Sequence, residues 1–235
     1  SIYQGSGLIA NNGAADTVLT VDGTQQGNSL FSGVIVDSTS TSSGTLGLRK
    51  AGNSTLTLAG NNGYSGGTWI DAGVLSVSSD ANLGAAAGTL TLNGAILATT
   101  ANFDTARAIT LNATSSIDVA ANTALGLTGN ITNAGGLIKR GGGTLVLSGN
   151  NSYSGGTTIN SGVVSVSSDA NLGAASGALF FAGNTTLATT ASFNTARSFV
   201  LAGDVGVDVA ANTTQGLAGP ITGAGGLSKR GGGTL

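Results

Sequence analysis

An eight-residue stretch occurs almost twice in this chain, and the residues around it repeat with it. Residues 61–68 read Asn-Asn-Gly-Tyr-Ser-Gly-Gly-Thr, and residues 150–157 read Asn-Asn-Ser-Tyr-Ser-Gly-Gly-Thr. Short apolar runs flank each copy, for example residues 55–58 and 74–77 around the first. A strand, a corner of Asn, Gly and Ser, and a second strand, repeated at long range, are typical of a solenoid.

The length of the repeat predicts several coils per unit. Tyr64 and Tyr153 lie 89 residues apart, whereas Phe103 and Phe193 lie 90 residues apart. We expect the extra residue, near Asn184, in a turn, because an insertion within a strand would exchange its two faces. Coils of about 20 to 25 residues give roughly four rungs per unit and about ten rungs in all, stacked ~4.8 Å apart. The sequence therefore predicts an all-β fold, a parallel β-helix.

We predict one solenoid without an internal domain boundary, because no shift in composition marks one. Residues 1–46 form a degenerate unit, residues 47–136 and 137–225 form two full units, and residues 226–235 begin a third. The chain ends on Gly-Gly-Gly-Thr-Leu, which matches residues 141–145 at the start of a strand. We therefore interpret the chain as a fragment of a longer protein.

The composition excludes several classes of protein and site. Hydrophobic residues make up 40% of the chain and charged residues only 8%, with 41 Gly and a single Pro. Abundant Gly without Pro or a triplet period argues against collagen, and the low charge argues against disorder. A net charge of -2 gives no electrostatic reason to expect a nucleic-acid partner. Cys is absent, which excludes disulfides and thiolate ligands, and we predict no metal and no cofactor.

Alternating apolar residues indicate which side chains face the interior of the coil. In residues 55–58 the two leucines share one face, and the later runs repeat this pattern. Stacked rungs would place these side chains in continuous internal columns. The predicted inward residues are Leu56, Leu58, Leu75, Val77, Leu90, Leu92, Ile109, Leu111, Ile117, Val119, Leu125 and Leu127, with Phe103 and Phe193 beside them.

Polar residues at and after the corner predict two further local features. The asparagines that open each copy are expected to stack, and to bond backbone groups and one another's amides. Residues 76–86 recur unchanged as residues 165–175, and a strand followed by Asp, Asn and Gly indicates a loop with one turn of helix at most. The stacked asparagines are Asn61, Asn62, Asn150 and Asn151.

Basic residues also recur in the two units. We interpret the paired ones as solvated charges at a sheet edge, which discourage association between sheets. Stacked in one column, they would instead form a short basic stripe for an acidic glycan or phosphate. A further arginine in each unit is expected to cover a core ring with its aliphatic stem. The paired residues are Arg49, Lys50, Lys139, Arg140, Lys229 and Arg230, and the further arginines are Arg107 and Arg197.

The pattern Gly-Gly-Leu-x-Lys-x-Gly-x-Gly-Thr-Leu-x-Leu-Ser-Gly-x-Asn-x-Tyr-Ser-Gly-Gly-Thr, within residues 135–163, resembles the passenger-associated transport repeat of bacterial type V secreted proteins. A copy at residues 47–74 has Asn53 and Ser54 in place of two glycines, and a third copy begins at Gly225. We assign the signature residues a structural role. They are Gly136, Lys139, Gly141, Gly143, Thr144, Leu145, Asn150, Tyr153, Gly155, Gly156, Thr157, Asn61, Tyr64, Gly66, Gly67 and Thr68.

The resemblance implies a right-handed parallel β-helix in the passenger of an autotransporter. Such passengers cross the outer membrane through a translocator β-barrel of the same polypeptide, which is therefore the expected partner. The resemblance also implies that the chain is exported to the bacterial cell surface or secreted. Within that family the repeat is associated with efficient passenger secretion and with surface adhesins.

The residues themselves predict no catalytic site. Residues 63–67 have the G-x-S-x-G spacing of a hydrolase elbow, but the chain has no His to serve as base. The second copy begins with Ser152, which breaks the motif. Asp204 and Asp208 lie close in sequence, as paired carboxylates of polysaccharide-cleaving enzymes would, and we interpret them as solvated or turn-capping.

We therefore predict a non-enzymatic stalk that supports secretion-coupled folding and the surface display of an adhesin. Two alternatives stay open at this point. In the first, the segment itself mediates adhesion or self-association, with a host glycan, a host protein or a second copy as its partner. In the second, it is a polysaccharide-acting enzyme on a β-helix.

Overall fold

The fold is built almost entirely from short parallel strands. The computed structural model describes residues 3–23, 27–39 and 44–235. Within these residues the strands are short because Gly, Asn and Ser end each apolar run after a few residues. Neighbouring strands pair in parallel and in register.

The strands follow one another in chain order with two short 3-10 helices between them. The first strands are β1 (Tyr3–Gly5), β2 (Leu8–Ala10), β3 (Thr17–Asp22), β4 (Asn28–Phe31) and β5 (Val34–Val36). Up to residue 132 they are β6 (Leu46–Ala51), β7 (Thr55–Leu58), β8 (Thr68–Ile70), β9 (Val74–Val77), the helix η1 (Asp80–Leu83), β10 (Leu90–Asn93), β11 (Ile96–Thr99), β12 (Phe103–Thr105), β13 (Ile109–Ala113), β14 (Ser115–Val119), β15 (Ala124–Leu127) and β16 (Ile131–Thr132). The remaining ones are β17 (Leu137–Arg140), β18 (Thr144–Leu147), β19 (Thr157–Ile159), β20 (Val163–Val166), the helix η2 (Asp169–Leu172), β21 (Leu179–Phe181), β22 (Thr185–Thr189), β23 (Phe193–Thr195), β24 (Phe199–Leu201), β25 (Val205–Val209), β26 (Gln215–Leu217), β27 (Ile221–Gly223) and β28 (Leu227–Arg230).

Three long sheets form the faces of a solenoid. The eleven-stranded sheet has the order β1-β4-β7-β9-β11-β14-β17-β19-β21-β24-β27. The six-stranded sheet has the order β3-β6-β8-β10-β13-β16, and the seven-stranded sheet has the order β12-β15-β18-β20-β22-β25-β28. Two further pairs are β2-β5 and β23-β26. The prediction of a parallel β-helix of about ten rungs is confirmed, and the longest sheet extends ~48 Å at ~4.8 Å per step.

The core consists of continuous columns of apolar side chains inside the coil. One column stacks Leu56, Leu75, Leu97 and Ile117 in direct register, and all four are buried. All the strand residues predicted to face inward are buried, so the alternation pattern identified the interior correctly. Each such side chain contributes on the order of 1.5–3 kcal/mol by burial. Phe103 and Phe193 are partly buried and pack against this core at its edge.

The one-residue insertion lies in a turn, as predicted. Gly183 and Asn184 both have positive φ, of 108° and 52°, and they immediately precede β22. At the equivalent turn the first unit has one positive-φ residue, Gly94 at 85°, near the start of β11. The strand that follows therefore keeps its apolar face toward the core.

Successive units are rotated about the solenoid by one face. Four steps along the eleven-stranded sheet lead from β7 to β17. The equivalent of β7 is β18, which follows β17 on the seven-stranded sheet. One unit thus completes four turns and one additional side, so its features move to the next face in each repeat. The division into units at the predicted boundaries stays a prediction, while the stacking of strands runs through all of them.

This rotation rules out the alternative in which the paired basic residues stack into one basic stripe. Lys50 lies in the six-stranded sheet, Lys139 in the eleven-stranded sheet and Lys229 in the seven-stranded sheet. Equivalent basic residues therefore lie on three different faces. Within the described part of the chain, no helix is long and apolar enough to cross a membrane.

Candidate functional site

The signature corner of each unit is built around a fully buried tyrosine. Tyr153 has no exposed surface, and its hydroxyl lies 2.6 Å from Oγ1 of Thr157. Oγ1 of Thr157 in turn donates to the carbonyl of Leu172 at 3.3 Å, so the tyrosine is the donor of the first bond. Burial raises the pKa of Tyr153 to about 12, which keeps the hydroxyl protonated. Tyr64 makes the equivalent bond to Thr68, at 2.7 Å.

Glycines let this corner approach the neighbouring rung closely. A Cβ on Gly155 would lie 2.5 Å from the backbone nitrogen of Gly136, a distance that no side chain tolerates. The next residue, Gly156, has φ of 79°, which favours glycine. The first unit has the same arrangement at Gly66 and at Gly67. The paired glycines of the signature are therefore required by the path of the backbone.

The second asparagine of each copy joins three rungs. Oδ1 of Asn151 accepts from the backbone nitrogen of Ile131 at 2.8 Å, and its Nδ2 donates to the carbonyl of Asn171 at 2.6 Å. Asn62 makes the equivalent contacts in the first unit. The predicted bonds to backbone groups are present, but the predicted stack of amides on one another is wrong. Asn61 and Asn150 are exposed.

The signature lysine is buried, contrary to the prediction of a solvated charge. Nζ of Lys139 donates to the carbonyls of Arg140 at 2.6 Å, Gly141 at 2.8 Å and Ser161 at 3.2 Å. We call these three carbonyls the carbonyl cage; they match the three protons of an ammonium group. Burial lowers the pKa of Lys139 to about 8, although Asp118 acts in the opposite direction.

The first unit repeats the carbonyl cage. Nζ of Lys50 donates to the carbonyls of Ala51, Gly52 and Ala72, at 2.7, 2.8 and 3.3 Å. Burial lowers the pKa of Lys50 as well, with Asp22 opposing the shift. Both lysines connect their own strand end to the turn of the next rung. Their role is therefore to hold adjacent rungs together.

The further arginine of each unit holds the loop that contains the 3-10 helix. Nε of Arg197 donates to Oδ1 of Asp169 at 2.8 Å, and its Nη groups donate to the carbonyls of Gly173 at 2.7 Å and Ala174 at 2.6 Å. We call this set of contacts the arginine clamp, and Arg107 makes the equivalent one in the first unit. The packing of the arginine stems on a core ring stays a prediction, while the hydrogen bonds of the guanidinium groups were not predicted.

The predicted single turn of helix is confirmed at η1 and η2. Oδ1 of Asn82 accepts from the backbone nitrogens of Ser78 and Ser79, both at 2.9 Å, and caps the start of η1. Asn171 makes the same contacts at η2. The sequence predicted the loops but not the arginines that hold them. A usable signal was present, because an Asp is followed by an Arg 27 residues later in one unit and 28 later in the other.

The remaining signature residues belong to the strand and turn after the lysine. Leu145 is buried in β18, and Thr144 precedes it on the partly exposed face. Gly141 has φ of 74° and supplies a carbonyl of the cage. A Cβ on Gly143 would lie 2.2 Å from the carbonyl oxygen of Ala120 on the rung below. These residues set the turn between two sides of the coil.

The corner does not assemble a nucleophile or a cluster of metal ligands. Ser65 is exposed, and its backbone nitrogen donates to Oδ1 of Asp37 at 2.8 Å. Asp204 accepts from the backbone nitrogen of Gly226 at 2.9 Å, as a turn-capping carboxylate does. Among the residues that the structure describes, no three His, Cys, Asp or Glu side chains lie together as metal ligands would.

This combination defines a class of protein: a parallel β-solenoid whose rungs are joined by a repeated set of buried polar contacts. Residues 48–77 and 137–166 match the family model of the passenger-associated-transport-repeat. Both matches contain the buried lysine, the tyrosine corner and its glycines. The chain therefore carries two copies of this repeat, as its sequence predicted.

One relative is an autotransporter named as an adhesin. The chain is 35% identical over 166 residues to the adhesin BmaC autotransporter of Brucella suis biovar 1 (strain 1330). The matched region covers 70% of this chain and 5% of the relative, so the chain spans a small part of that protein's length. No solved structure matches the chain. The repeat and the relative confirm the resemblance to autotransporter passengers and the expected export to the bacterial cell surface.

Proposed function

We propose that the chain is a stalk segment of an autotransporter passenger, which folds during export and holds a more distal adhesive region away from the cell. The observation that carries this proposal is the set of buried polar contacts made twice between adjacent rungs. The carbonyl cage spans 22 residues to Ser161, the asparagine contact 20 residues to Asn171, and the arginine clamp 28 residues to Asp169.

Contacts of this range suit folding that proceeds one rung at a time. Each buried lysine, asparagine and arginine is satisfied by its own rung and the rungs directly adjacent to it, so no distant part of the chain is needed. In a solenoid the stability is the sum of such nearest-neighbour terms. A charge buried without its carbonyls is costly, which favours the correct stacking register over slipped ones.

The non-enzymatic character of the segment is part of this proposal. The chain has no His and no Cys, and its fully buried polar groups bond mainly to backbone carbonyls and amides. A polar group engaged in this way holds backbone in place and is not free to attack a substrate. The relative's name as an autotransporter supports a translocator domain on the same polypeptide as the export partner.

The test removes one unit in register from the full-length protein. Deletion of residues 48–136 joins Gly47 to Leu137, which is the equivalent of Leu48, so the rungs at the junction gain equivalent neighbours in place of the lost ones. We expect less of the distal region at the cell surface at equal expression, measured by antibody binding to intact cells. We also expect a rod shorter by ~21 Å, since a unit contributes about four and one-third steps.

Two point variants serve as a matched pair for the same measurement. Lys139→Met removes the donor of a carbonyl cage, whereas Arg140→Met changes the adjacent, exposed residue of the same strand. We expect reduced display for the first and normal display for the second. Normal display of both Lys139→Met and the deletion protein would overturn a role in secretion-coupled folding.

A further inference from the structure

The outer face of the six-stranded sheet carries a ladder of polar side chains across five rungs. Nε of Arg49 donates to Oδ2 of Asp71, and Nδ2 of Asn93 donates to Oδ1 of the same carboxylate. Nδ2 of Asn112 donates to Oδ1 of Asn93 at 2.7 Å, and Nδ2 of Asn133 donates to Oδ1 of Asn112 at 2.6 Å. Every donor in the ladder points toward the one carboxylate.

The ladder keeps hydrogen-bonding capacity for a ligand. An asparagine amide has two N–H donors and two acceptor lone pairs, and the ladder uses one of each at Asn93 and at Asn112. Asn112 and Asn133 are exposed, while Asn93 and Asp71 are half-buried. The planar groups are fixed by one another, so a ligand would lose little side-chain entropy on binding them.

The only tryptophan of the chain lies beside this ladder. Trp69 is paired with Arg49 on one side and Thr91 on the other, two residues before Asp71 on the same outward face. Its ring lies over Gly47, where a Cβ would come within 2.5 Å of Cζ3 of the ring. The glycine therefore allows the ring to lie close against the neighbouring strand. Trp69 is half-buried.

We propose that this face binds a neutral glycan chain. The face of an aromatic ring is negative and attracts the C–H groups on the apolar side of a sugar ring. The amides and the carboxylate of the ladder offer donors and acceptors to the hydroxyl groups. They recur every ~4.8 Å along the rod, on the scale of one sugar unit, which suits an extended chain of several sugars. This inference does not depend on the stalk role.

A neutral glycan fits better than an acidic one or a protein. The single cation of the face, Arg49, is already paired with Asp71, so no free positive charge is left for an anion. The other side chains of the face include Thr20, Thr91 and Thr110, which are uncharged, and Asp22, whose negative charge further disfavours an anion. A protein partner of a sheet face is held mainly by apolar area, which here comes mainly from Trp69 and the exposed Val18.

The second unit provides a natural counterpart without these residues. At the equivalent positions it has Ile138, Thr158, Asn160, Ala182 and Ala202 in place of Arg49, Trp69, Asp71, Asn93 and Asn112. The register of β19 on β17 matches that of β8 on β6, whereas β10 has a register shift at Asn93 that β21 lacks. Parallel stacking therefore continues through the second unit without the ladder.

Fluorescence of the single tryptophan tests the proposal directly. The chain is titrated with neutral hexasaccharides of glucose, galactose, mannose, xylose and N-acetylglucosamine. We expect a saturable change of Trp69 emission with at least one of them, and no change with the corresponding monosaccharide. This binding should be the same at low and high NaCl concentration, because no net charge is involved.

Two sets of variants distinguish the contribution of the polar ladder to binding from that of the Trp69 ring. Asn93→Ala and Asn112→Ala should each weaken binding about tenfold, since each removes hydrogen-bonding groups. Their far-UV circular dichroism and melting should stay near those of the parent chain. The double variant Trp69→Phe with Thr158→Trp places the tryptophan at the equivalent site without a ladder, and its emission should not respond.

Three outcomes would overturn the proposal. The first is the absence of a saturable response to any hexasaccharide of the panel. The second is an equal change of tryptophan emission in the double variant Trp69→Phe with Thr158→Trp, because the ladder would then be irrelevant to binding. The third is binding to acidic glycans or to a protein alone, lost at high NaCl, because the charge of Arg49 would then carry the recognition.

Discussion

Replacement of Arg197 by methionine should release the η2 loop while leaving the rest of the solenoid folded. The side chain of Arg197 is 1% exposed, and its guanidinium group bonds the carboxylate of Asp169 and the carbonyls of Gly173, Ala174 and Gly177. Methionine fills a similar space but donates nothing, so these acceptors lose their donor. Removal of one partner of a buried pair costs about 3–5 kcal/mol.

The structure places this variant at the lower end of that range. Asp169 is 27% exposed, so water can solvate its carboxylate once the arginine is gone. We therefore expect the loop to be destabilised by about 3 kcal/mol. At 1.4 kcal/mol per factor of ten, this corresponds to opening of the loop that is about 100-fold more frequent.

Native-state hydrogen exchange measures this opening residue by residue. In the loop, the backbone nitrogen of Ala174 donates to the carbonyl of Tyr153 at 2.9 Å, and that of Gly177 donates to Ala174 at 2.8 Å. Ala85 and Gly88 make the equivalent bonds in the first unit, at 2.9 and 2.8 Å. In Arg197→Met the first pair of amides should exchange faster and the second pair should not, which gives a control within one molecule.

The reciprocal variant, Arg107→Met, should reverse the pattern between the two loops. Unchanged exchange of Ala174 and Gly177 in Arg197→Met would refute the arginine clamp as the element that holds the loop. Equal acceleration at Ala85 and Gly88 would show that the substitution destabilises the whole chain. In that case the contacts of Arg197 would not be confined to neighbouring rungs.

Three further predictions concern the other buried groups. Lys139→Met should lower the free energy of unfolding by about 2–4 kcal/mol at pH 7, since three buried carbonyls lose their donor. The control Arg140→Met should leave the free energy of unfolding almost unchanged. Urea unfolding measures both variants. Because burial lowers the pKa of Lys139 to about 8, the unfolded chain binds more protons than the folded chain between about pH 8 and pH 10.5. The parent should therefore gain stability as pH rises through this window. Lys139→Met should gain less, and the gain that remains is due to Lys50, whose pKa is also lowered by burial. Tyr153→Phe should cost about 1 kcal/mol, for one buried hydrogen bond. Burial raises the pKa of Tyr153 to about 12, so the folded chain retains a proton that the unfolded chain releases above about pH 10. The parent should therefore lose stability between pH 10 and pH 12. In the same assay this loss should be steeper for the parent than for Tyr153→Phe. Ser29 lines a cavity of about 190 Å³ together with Leu56, and Ser29→Val should raise the melting temperature by filling part of it. An unchanged or lower melting temperature would contradict this prediction.

The interior of the solenoid could be predicted from sequence because it follows from local alternation. Leu56 and Leu58 share a face in any strand, and stacking of similar strands then builds the columns without further information. The buried charges could not be predicted in the same way. A lysine is ordinarily assigned to solvent, and the cage of Lys139 exists only because Gly141, with positive φ, turns its carbonyl toward the amine.

The two units have equivalent side chains in the interior and different side chains on the outer surface, and the rotation between units explains this difference. A unit advances by four turns and one side, so equivalent residues never stack on each other: β18 lies between β15 and β20, far from its equivalent β7. The cage, the clamp and the bond from Asn151 to the carbonyl of Asn171 span 20 to 28 residues and fall within one unit, so each unit must supply them itself. A column on the outer surface, by contrast, is made of residues that are not equivalent to one another. Trp69 and its ladder can therefore be present on one face and replaced by Thr158 and alanines on the next, while the carbonyl cage, the contacts of the buried asparagine and the arginine clamp are kept.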